Sequence, residues 1–463
     1  MTKAISDYLM SSSNDTSHRL NSDGKNLGTP IDKIPDELLA LIFVHFDHRS
    51  SLPDNEPTPH ILSSVNRRWR RVAIDISSLW SHIILSFGEF RTSPTYVERP
   101  KLWIERSRTS PLDISIDLRG MRFARDDSSD DFLDLVLRVV DRWMYVDVTG
   151  DRVGDIRNFF IALNRTEAPL LREAVFVSRN TIFVQMADFG VGFGHHHQAL
   201  LHGSPSLRSI RLVGISYLSK FSLYSLTSLD LRKQDAYFED LCHLIERSPS
   251  LTHLVLHSID FSFRDNTDPA PIVAKSLKSL SINFRLIHRF QTHSLLFLSL
   301  LSAPALEELE LIRMESWHIY GVHHYISKRS PRLEYTNLHT FKLAESVSNS
   351  DREIERLFNV LCSSTTTFFS IRNCGFSAIP TKTEVLIYDP DDSIFMLKTV
   401  VDSPLRVVRV PRRIAEIPSS EFTIEVVDNP VLFEYTGEND TDMYFVSEED
   451  EEDEDGQYSD WDY

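Results

Sequence analysis

The sequence predicts an α+β chain: a small N-terminal helical module, then an irregular α/β solenoid of stacked repeats, then a disordered acidic C-terminal tail. Three observations predict it. Residues 30–85 carry amphipathic helix patterns with clear start signals, a spaced apolar triplet recurs between Leu171 and Val410, and Glu448–Asp455 is an unbroken run of acids. With 463 residues, 41% of them hydrophobic and 25% charged, the chain is too long for one ordinary domain and apolar enough to bury a core over most of its length.

Charge narrows the partners. The net charge of -18 includes the tail acids Glu448–Asp455, Asp460 and Asp462. The body that remains is mildly acidic and would repel phosphate backbones and anionic lipid, so nucleic acid and membrane are not expected partners. Only Cys242, Cys362 and Cys374 are present, in spacings that fit neither a zinc site nor a disulfide framework. No stretch approaches the roughly 20 apolar residues of a membrane span, and the first 20 residues lack a secretory apolar core. The expectation is a protein of the cytoplasm, the nucleus or both.

Residues 1–29 are rich in Ser, Asn and Asp and are predicted to be disordered. At IDKIPDELLALIFVHF the texture changes. Pro35 stands near a helix start, Asp36 and Glu37 complement its dipole, and Leu38, Ile42 and Phe46 form an i, i+4, i+8 stripe. The segment from Asp47 to His60 holds three prolines and reads as a loop. A second helix is predicted over HILSSVNRRWRRVAIDI, with Ile61, Val65, Trp69 and Val72 on one face, followed by SSLWSHIIL: a capping Ser, a turn carrying Leu79 and Trp80, and a β-like ending.

In this order, IPDELLALIF, SSVNRRWRRVAI and SSLWSHIIL resemble an F-box in the divergent form of large fungal families. Pro35, Leu38, Leu39, Ile42 and Phe43 match its first helix, Val65, Arg68, Trp69 and Val72 its second, and Leu79 with Trp80 its closing turn. Two departures stand out: Asn66 occupies a position where the family often has cysteine, and the Pro-rich loop is long. The resemblance implies that Pro35, Leu38, Leu39, Ile42, Phe43 and Trp69 bind a Skp-type adaptor.

Residues 86–168 read as a connector with two first strands, in PLDISIDL and RWMYVDV. From 169 to 430 an apolar residue is followed at +3 and +5 by two more, usually after a Ser/Ala-Pro step. The starts are Leu171, Leu207, Leu226, Leu251, Leu277, Leu306, Leu338, Thr366 and Leu405. The +3 and +5 residues fall on one face of a strand, while YFEDLCHLIER and SLLFLSLLS read as helices between strands. Such units bury their apolar faces only by stacking. The array resembles degenerate leucine-rich repeats with insertions, its starts 19 to 39 residues apart, the longest spacing following Thr366.

The side chains between the buried positions point to the opposite face, where Arg211, Asp230, Val255, Ser281, Glu310, Lys342, Ser370 and Arg409 are the candidate substrate contacts. Their mixed charge suits a folded protein partner. Other motifs carry little. Gly190, Gly192 and Gly194 have the wrong spacing for a phosphate loop, and His195, His196 and His197, with His323 and His324 elsewhere, lack carboxylate or cysteine partners at ligand spacing. No cofactor, metal or catalytic residue is expected. The tail, residues 431–463, is read as solvated chain that could screen a basic patch on the array.

Taken with the resemblance, these readings imply the substrate-recognition subunit of an SCF-type cullin-RING ubiquitin ligase. It would bind the adaptor and cullin scaffold through the F-box and an unidentified protein substrate through the repeats, without being an enzyme. The alternative is a protein-interaction scaffold whose F-box recruits no ligase.

Overall fold

The computed structural model describes residues 30–45, 58–86, 95–119, 134–151, 156, 159, 166–179, 203–215, 224–262, 271–284, 297–298, 300–315, 318–319, 337–344, 346, 356–357, 366, 368–372, 385–389, 407–411 and 423–427. The predicted N-terminal and C-terminal disordered segments, the glycine triplet, the histidine runs, Phe46, Cys362 and Cys374 lie outside them. Within them the chain is mixed helix and strand, and its main sheet is parallel.

A short 3-10 turn, Pro30–Lys33, leads to α1 (Asp36–Val44), α2 (Thr58–Val65) and α3 (Arg67–Asp75), and a second 3-10 turn, Ser77–Trp80, closes the module. Pro35 is the residue that enters α1, where its fixed φ is harmless. Three features differ from the sequence expectation. The predicted second helix is broken at Asn66, whose extended backbone (φ -158, ψ 176) starts α3 and whose side chain accepts a hydrogen bond from the Trp69 N–H at 2.8 Å. Asn is a strong N-cap, so it divides what the apolar pattern alone reads as one helix. The second difference concerns α1. Its buried pair is Leu39 and Phe43, not the Leu38 and Ile42 stripe. Six of its nine residues are large and apolar, so periodicity cannot choose the inward face; Trp69 chooses it, with its ring 5.0 Å from that of Phe43. The capping Ser is also absent: Ile76 precedes the closing turn and no side chain caps it.

Arg68 and Arg71 of α3 bridge back to the start of α1. Arg68 Nε donates to Asp36 Oδ1 at 2.6 Å and Arg71 Nη2 to Asp36 Oδ2 at 2.8 Å. These two guanidiniums hold the Asp36 carboxyl below its ordinary pKa. Trp80 Nε1 donates to the Ala73 carbonyl at 2.8 Å, which ties the closing turn to α3.

The sheet begins directly after this turn. Its strands are β1 (His82–Ser86), β2 (Leu112–Asp117), β3 (Trp143–Gly150), β4 (Glu173–Ser178), β5 (Ser209–Val213), β6 (Ser228–Tyr237) and β7 (His253–Ser262). A two-residue strand β8 (Ile272–Val273) precedes β9 (Ser279–Asn283), and another, β10 (Leu301–Ser302), precedes β11 (Glu308–Ile312). Then come β12 (Thr340–Ala344), β13 (Phe368–Arg372), β14 (Val385–Asp389), β15 (Val407–Pro411) and β16 (Thr423–Val427). Fourteen of them pair in chain order, each parallel to the next, while β8 and β10 pair with each other. Helix α4 (Thr95–Arg106) separates β1 from β2, and α5 (Phe238–Arg247) separates β6 from β7.

The +3 and +5 residues of each of the nine apolar triplets fall on a strand, and two five-residue strands beyond β13, β14 and β16, carry no triplet. In β14 and β16 the register puts Leu386 and Ile424 on the same row as the +3 residues, but the residues three positions earlier are Thr383 and Glu421. The long spacing after Thr366 therefore hides a strand. The segment SLLFLSLLS, read as a helix, ends in the strand β10.

The register explains the core. One row runs Ile83, Ile114, Val146, Ala174, Ile210, Leu229, Leu254, Leu280, Leu309, Phe341, and a second runs Leu85, Ile116, Val148, Phe176, Leu212, Leu231, Leu256, Ile282, Leu311, Leu343. All are buried, as are the triplet starts Leu171, Leu207, Leu226, Leu251, Leu277, Leu306 and Leu338. At about 25 cal/mol per Å² of apolar area removed from water, such ladders are the main stabilising term. The core does not stop at residue 85. Trp80 meets Trp103 of α4 edge to face at 6.0 Å, Arg106 lies over the Trp80 ring at 4.3 Å, and one apolar cluster runs from Leu39 to Leu357. The helical module and the sheet therefore share a core: the module's last residues form β1, the edge strand, and residues 86–168 contribute β2 and β3.

Candidate functional site

Two surfaces emerge. The first is the outer side of α1. Burial divides the six residues matched to the adaptor-binding motif: Leu39, Phe43 and Trp69 are in the core, whereas Pro35, Leu38 and Ile42 are on the surface. Leu41 and Val44, which the motif did not single out, are exposed with them. The exposures of 52% for Leu38, 56% for Leu41, 41% for Ile42 and 45% for Val44 are high for large apolar residues clustered on one nine-residue helix. Val65, at the end of α2, is likewise exposed. The buried trio anchors the helix, and the exposed set lies outside the core.

The second surface is the polar face of the sheet. The register brings all eight candidate substrate residues into one row, Arg211, Asp230, Val255, Ser281, Glu310, Lys342, Ser370 and then Arg409, with Ile387 of β14 between the last two. Their accessibility differs. Ser370, Asp230 and Ser281 are buried, and Arg211, Val255, Glu310 and Lys342 are half-buried; for Arg409 only the backbone position is described.

Much of the row is occupied with itself. Arg211 Nε donates to Asp230 Oδ2 at 2.8 Å, and Arg232 Nε donates to Asp230 Oδ1 at 2.9 Å, so two guanidiniums share one carboxylate. Lys342 pairs with Glu308. Two positions further along the strands a second row holds Arg232, His257 and Asn283. Arg313 follows Ile312, the next residue in that row, in the left-handed region (φ 57). Sequence reasoning missed this row. Its signal was there: side chains two apart on a strand share a face, so each central residue implied a neighbour at +2.

One constellation on this face has the residue types of a hydrolase site. His257 Nε2 lies 3.0 Å from Ser281 Oγ, which donates to Glu310 Oε2 at 2.6 Å. The order is wrong for nucleophilic catalysis, which needs the imidazole between hydroxyl and carboxylate. Here the serine is the middle member: it gives its proton to Glu310 and accepts from His257. Burial, followed by the neighbouring Arg232, pushes the His257 imidazole down to about 4. The chain of hydrogen bonds reads as a neutral brace across β7, β9 and β11. Cys242 on α5 is similarly inert, because burial and the nearby Glu246 and Glu239 push its thiol up to about 12.

At the other end of the face, Tyr145 sits among Asp147, Glu173 and Asp113; burial and these carboxylates push its hydroxyl up to about 12. The polar face is thus acidic around Tyr145, whereas over β5 and β6 Arg211 and Arg232 are paired with Asp230. Among the described residues no group of His, Cys, Asp and Glu is arranged to hold a metal ion, and no helix is long and apolar enough to cross a membrane.

No family model matches the chain. No curated protein matches it either.

Proposed function

We propose that this chain is a substrate receptor of an SCF-type cullin-RING ubiquitin ligase, with α1 docking a Skp-type adaptor, the polar sheet face holding a protein substrate, and no catalysis of its own. On this reading the N-terminal module is an F-box and the sheet is the strand face of a degenerate leucine-rich-repeat solenoid. The observation that carries the reading is the apolar face of α1. Leu38, Leu41, Ile42 and Val44 are left on the surface of a helix whose other side is anchored through Leu39 and Phe43 on Trp69. An amphipathic surface helix ordinarily keeps its outer side polar, and an uncovered apolar cluster is characteristic of a docking site.

The parallel sheet in unbroken chain order supports the second half. Each strand adds one position to the row from Arg211 to Arg409, which gives an extended polar surface of the kind that repeat proteins use for binding. The brace of Ser281, His257 and Glu310 argues against a nucleophile on this face.

The test is co-purification of the intact chain with adaptor and cullin. Recovery of both that is lost in Leu38→Asp/Ile42→Asp supports the proposal; absence of the adaptor from the wild-type chain favours the non-ligase scaffold. Trp69→Ala is unsuitable as the disrupting variant because Trp69 is core. For the substrate face, Arg211→Glu combined with Glu310→Arg should remove captured partners while leaving the adaptor in place.

A further inference from the structure

We infer that β1 is a self-complementary edge strand, and that it pairs antiparallel with β1 of a second copy of this chain about a two-fold axis at Ile84. This goes beyond the proposed receptor function and is independent of whether α1 docks an adaptor.

Backbone geometry sets what the edge offers. The Asp113 N–H donates to the Ser81 carbonyl at 3.0 Å, and β1 pairs with β2 without a shift from His82↔Asp113 to Ser86↔Asp117. Bonding groups alternate along a parallel strand, so residues 81, 83 and 85 face β2 while residues 82, 84 and 86 turn their N–H and C=O outward. β1 ends the sheet order, with β2 as its one sheet neighbour among the described residues. Side chains alternate too. Ile83 and Leu85 are buried on the core face, whereas Ile84 is 53% exposed on the polar face.

Edge strands are usually blunted by Lys, Pro, a bulge or an inward charge, because a row of outward amides is a template for another strand. β1, His-Ile-Ile-Leu-Ser, carries none of these devices. By contrast β16, at the other end of the sheet, has Glu425 in the row that holds Ile84. Leu102 of α4, the helix that packs on β1, is also exposed, so both layers present a large apolar residue at the β1 end.

The order of residue types selects the occupant. His82, Ile83, Ile84, Leu85 and Ser86 read polar, apolar, apolar, apolar, polar from either end. A two-fold axis at Ile84 sets Ile84 against its own copy, Ile83 against Leu85 and His82 against Ser86. Outward-facing residues then meet outward-facing residues, every backbone bond is reciprocal, and both buried rows of the core continue into the second copy. A slip of one residue sets outward-facing against inward-facing groups, and a slip of two leaves part of the strand unpaired. Charge does not oppose the pairing. β1 has no Asp, Glu, Lys or Arg. The nearest carboxylates in register, Asp113 and Asp117 of β2, stand three strand spacings, about 14 Å, from those of the second copy. That exceeds the screening length of roughly 8 to 10 Å, and Asp117 is bonded to Arg119. Five residues a side make a small interface, so the dimer is weak and depends on concentration.

Sedimentation velocity of the full chain, from about 1 to about 200 μM, reads the association. The wild type should move from monomer to dimer across this range. Ile84→Pro removes the outward N–H and spares the bonds to β2, which Ile83 and Leu85 make; proline is tolerated at such an edge position, and the dimer should weaken about tenfold or more. Ile84→Lys and Ile84→Glu should each stay monomeric, because the axis sets like charges opposite one another, and mixing the two variants should restore a dimer. Thermal midpoints establish that each variant is folded. Leu38→Asp/Ile42→Asp should dimerise as the wild type does, which separates this edge from the apolar side of α1. A wild-type chain that stays monomeric overturns the inference, whether its edge is open or taken by a strand of another protein. So does a dimer that survives Ile84→Pro, a mixture of the two charge variants that stays monomeric, or a dimer lost in the α1 variant. Adaptor capture is measured separately, so a failed F-box and a failed edge pairing are distinguishable.

Discussion

Replacing Trp69 and replacing Leu38 should have opposite consequences, although both residues match the same motif. Trp69 is 6% exposed and packs its ring 5.0 Å from Phe43. Truncation of a buried Trp to Ala costs about 3–5 kcal/mol, through lost transfer energy and the cavity left behind. By the relation of about 1.4 kcal/mol per tenfold, opening of the module becomes about 100- to 3,000-fold more frequent. Leu38 is 52% exposed, and surface substitutions of that kind shift stability by about 0.5 kcal/mol or less. Hydrogen exchange followed by mass spectrometry on the full chain reads both effects, in peptides covering α3 and the closing turn. Trp69→Ala should accelerate exchange there by at least two orders of magnitude, and Leu38→Asp by no more than about threefold. If Trp69→Ala leaves exchange near the wild-type rate, the assignment of Trp69 to the core is refuted, and with it the division of the motif into anchors and contacts.

Three further outcomes follow from the geometry. Asn66→Ala should destabilise α3 by about 1 kcal/mol by leaving the Trp69 N–H without its cap, with Asn66→Asp retaining stability, as measured by thermal unfolding. Asp230→Ala strands the Arg211 and Arg232 guanidiniums on a half-buried face and should cost about 2 kcal/mol, less than a fully buried pair because Arg211 is partly hydrated; a change under about 0.5 kcal/mol contradicts the shared-carboxylate arrangement. His257 titrates at about 4 in the fold against an ordinary value of 6.5, so the unfolded chain gains a proton between these values that the folded chain does not. Stability is complete above pH 6.5 and falls as pH drops toward 4, by an amount on the order of 3 kcal/mol for this residue. Acid titration of unfolding should therefore be shallower in His257→Asn than in the wild type, and parallel curves would refute the burial of that imidazole.

The strand positions were legible because the apolar +3 and +5 spacing is a direct imprint of burial on one sheet face. Leu254 with Leu256, or Leu309 with Leu311, could hardly sit elsewhere. The row from Arg211 to Arg409 followed from the same alternation. β14 and β16 escaped because Thr383 and Glu421 replace the first apolar residue of the triplet. The inward side of α1 was illegible for the opposite reason: a helix apolar nearly all round gives no preferred face until a partner supplies it, here Trp69. Asn66 was visible in the sequence, but its role as a cap depends on a backbone angle that the apolar pattern around it does not reveal. Nor could linear spacing show that Arg232 stands beside His257, because that depends on which strands are neighbours.

The central claim is that the uncovered side of α1 docks a Skp-type adaptor. Calorimetric titration of purified adaptor into the full chain tests it most directly. The wild-type chain should bind, and Leu38→Asp/Ile42→Asp should bind about 100-fold or more weakly, since two charges would enter a desolvated apolar contact, while its hydrogen exchange remains that of the wild type. A wild-type chain that gives no binding, or a double variant that binds as tightly as wild type, would contradict the claim.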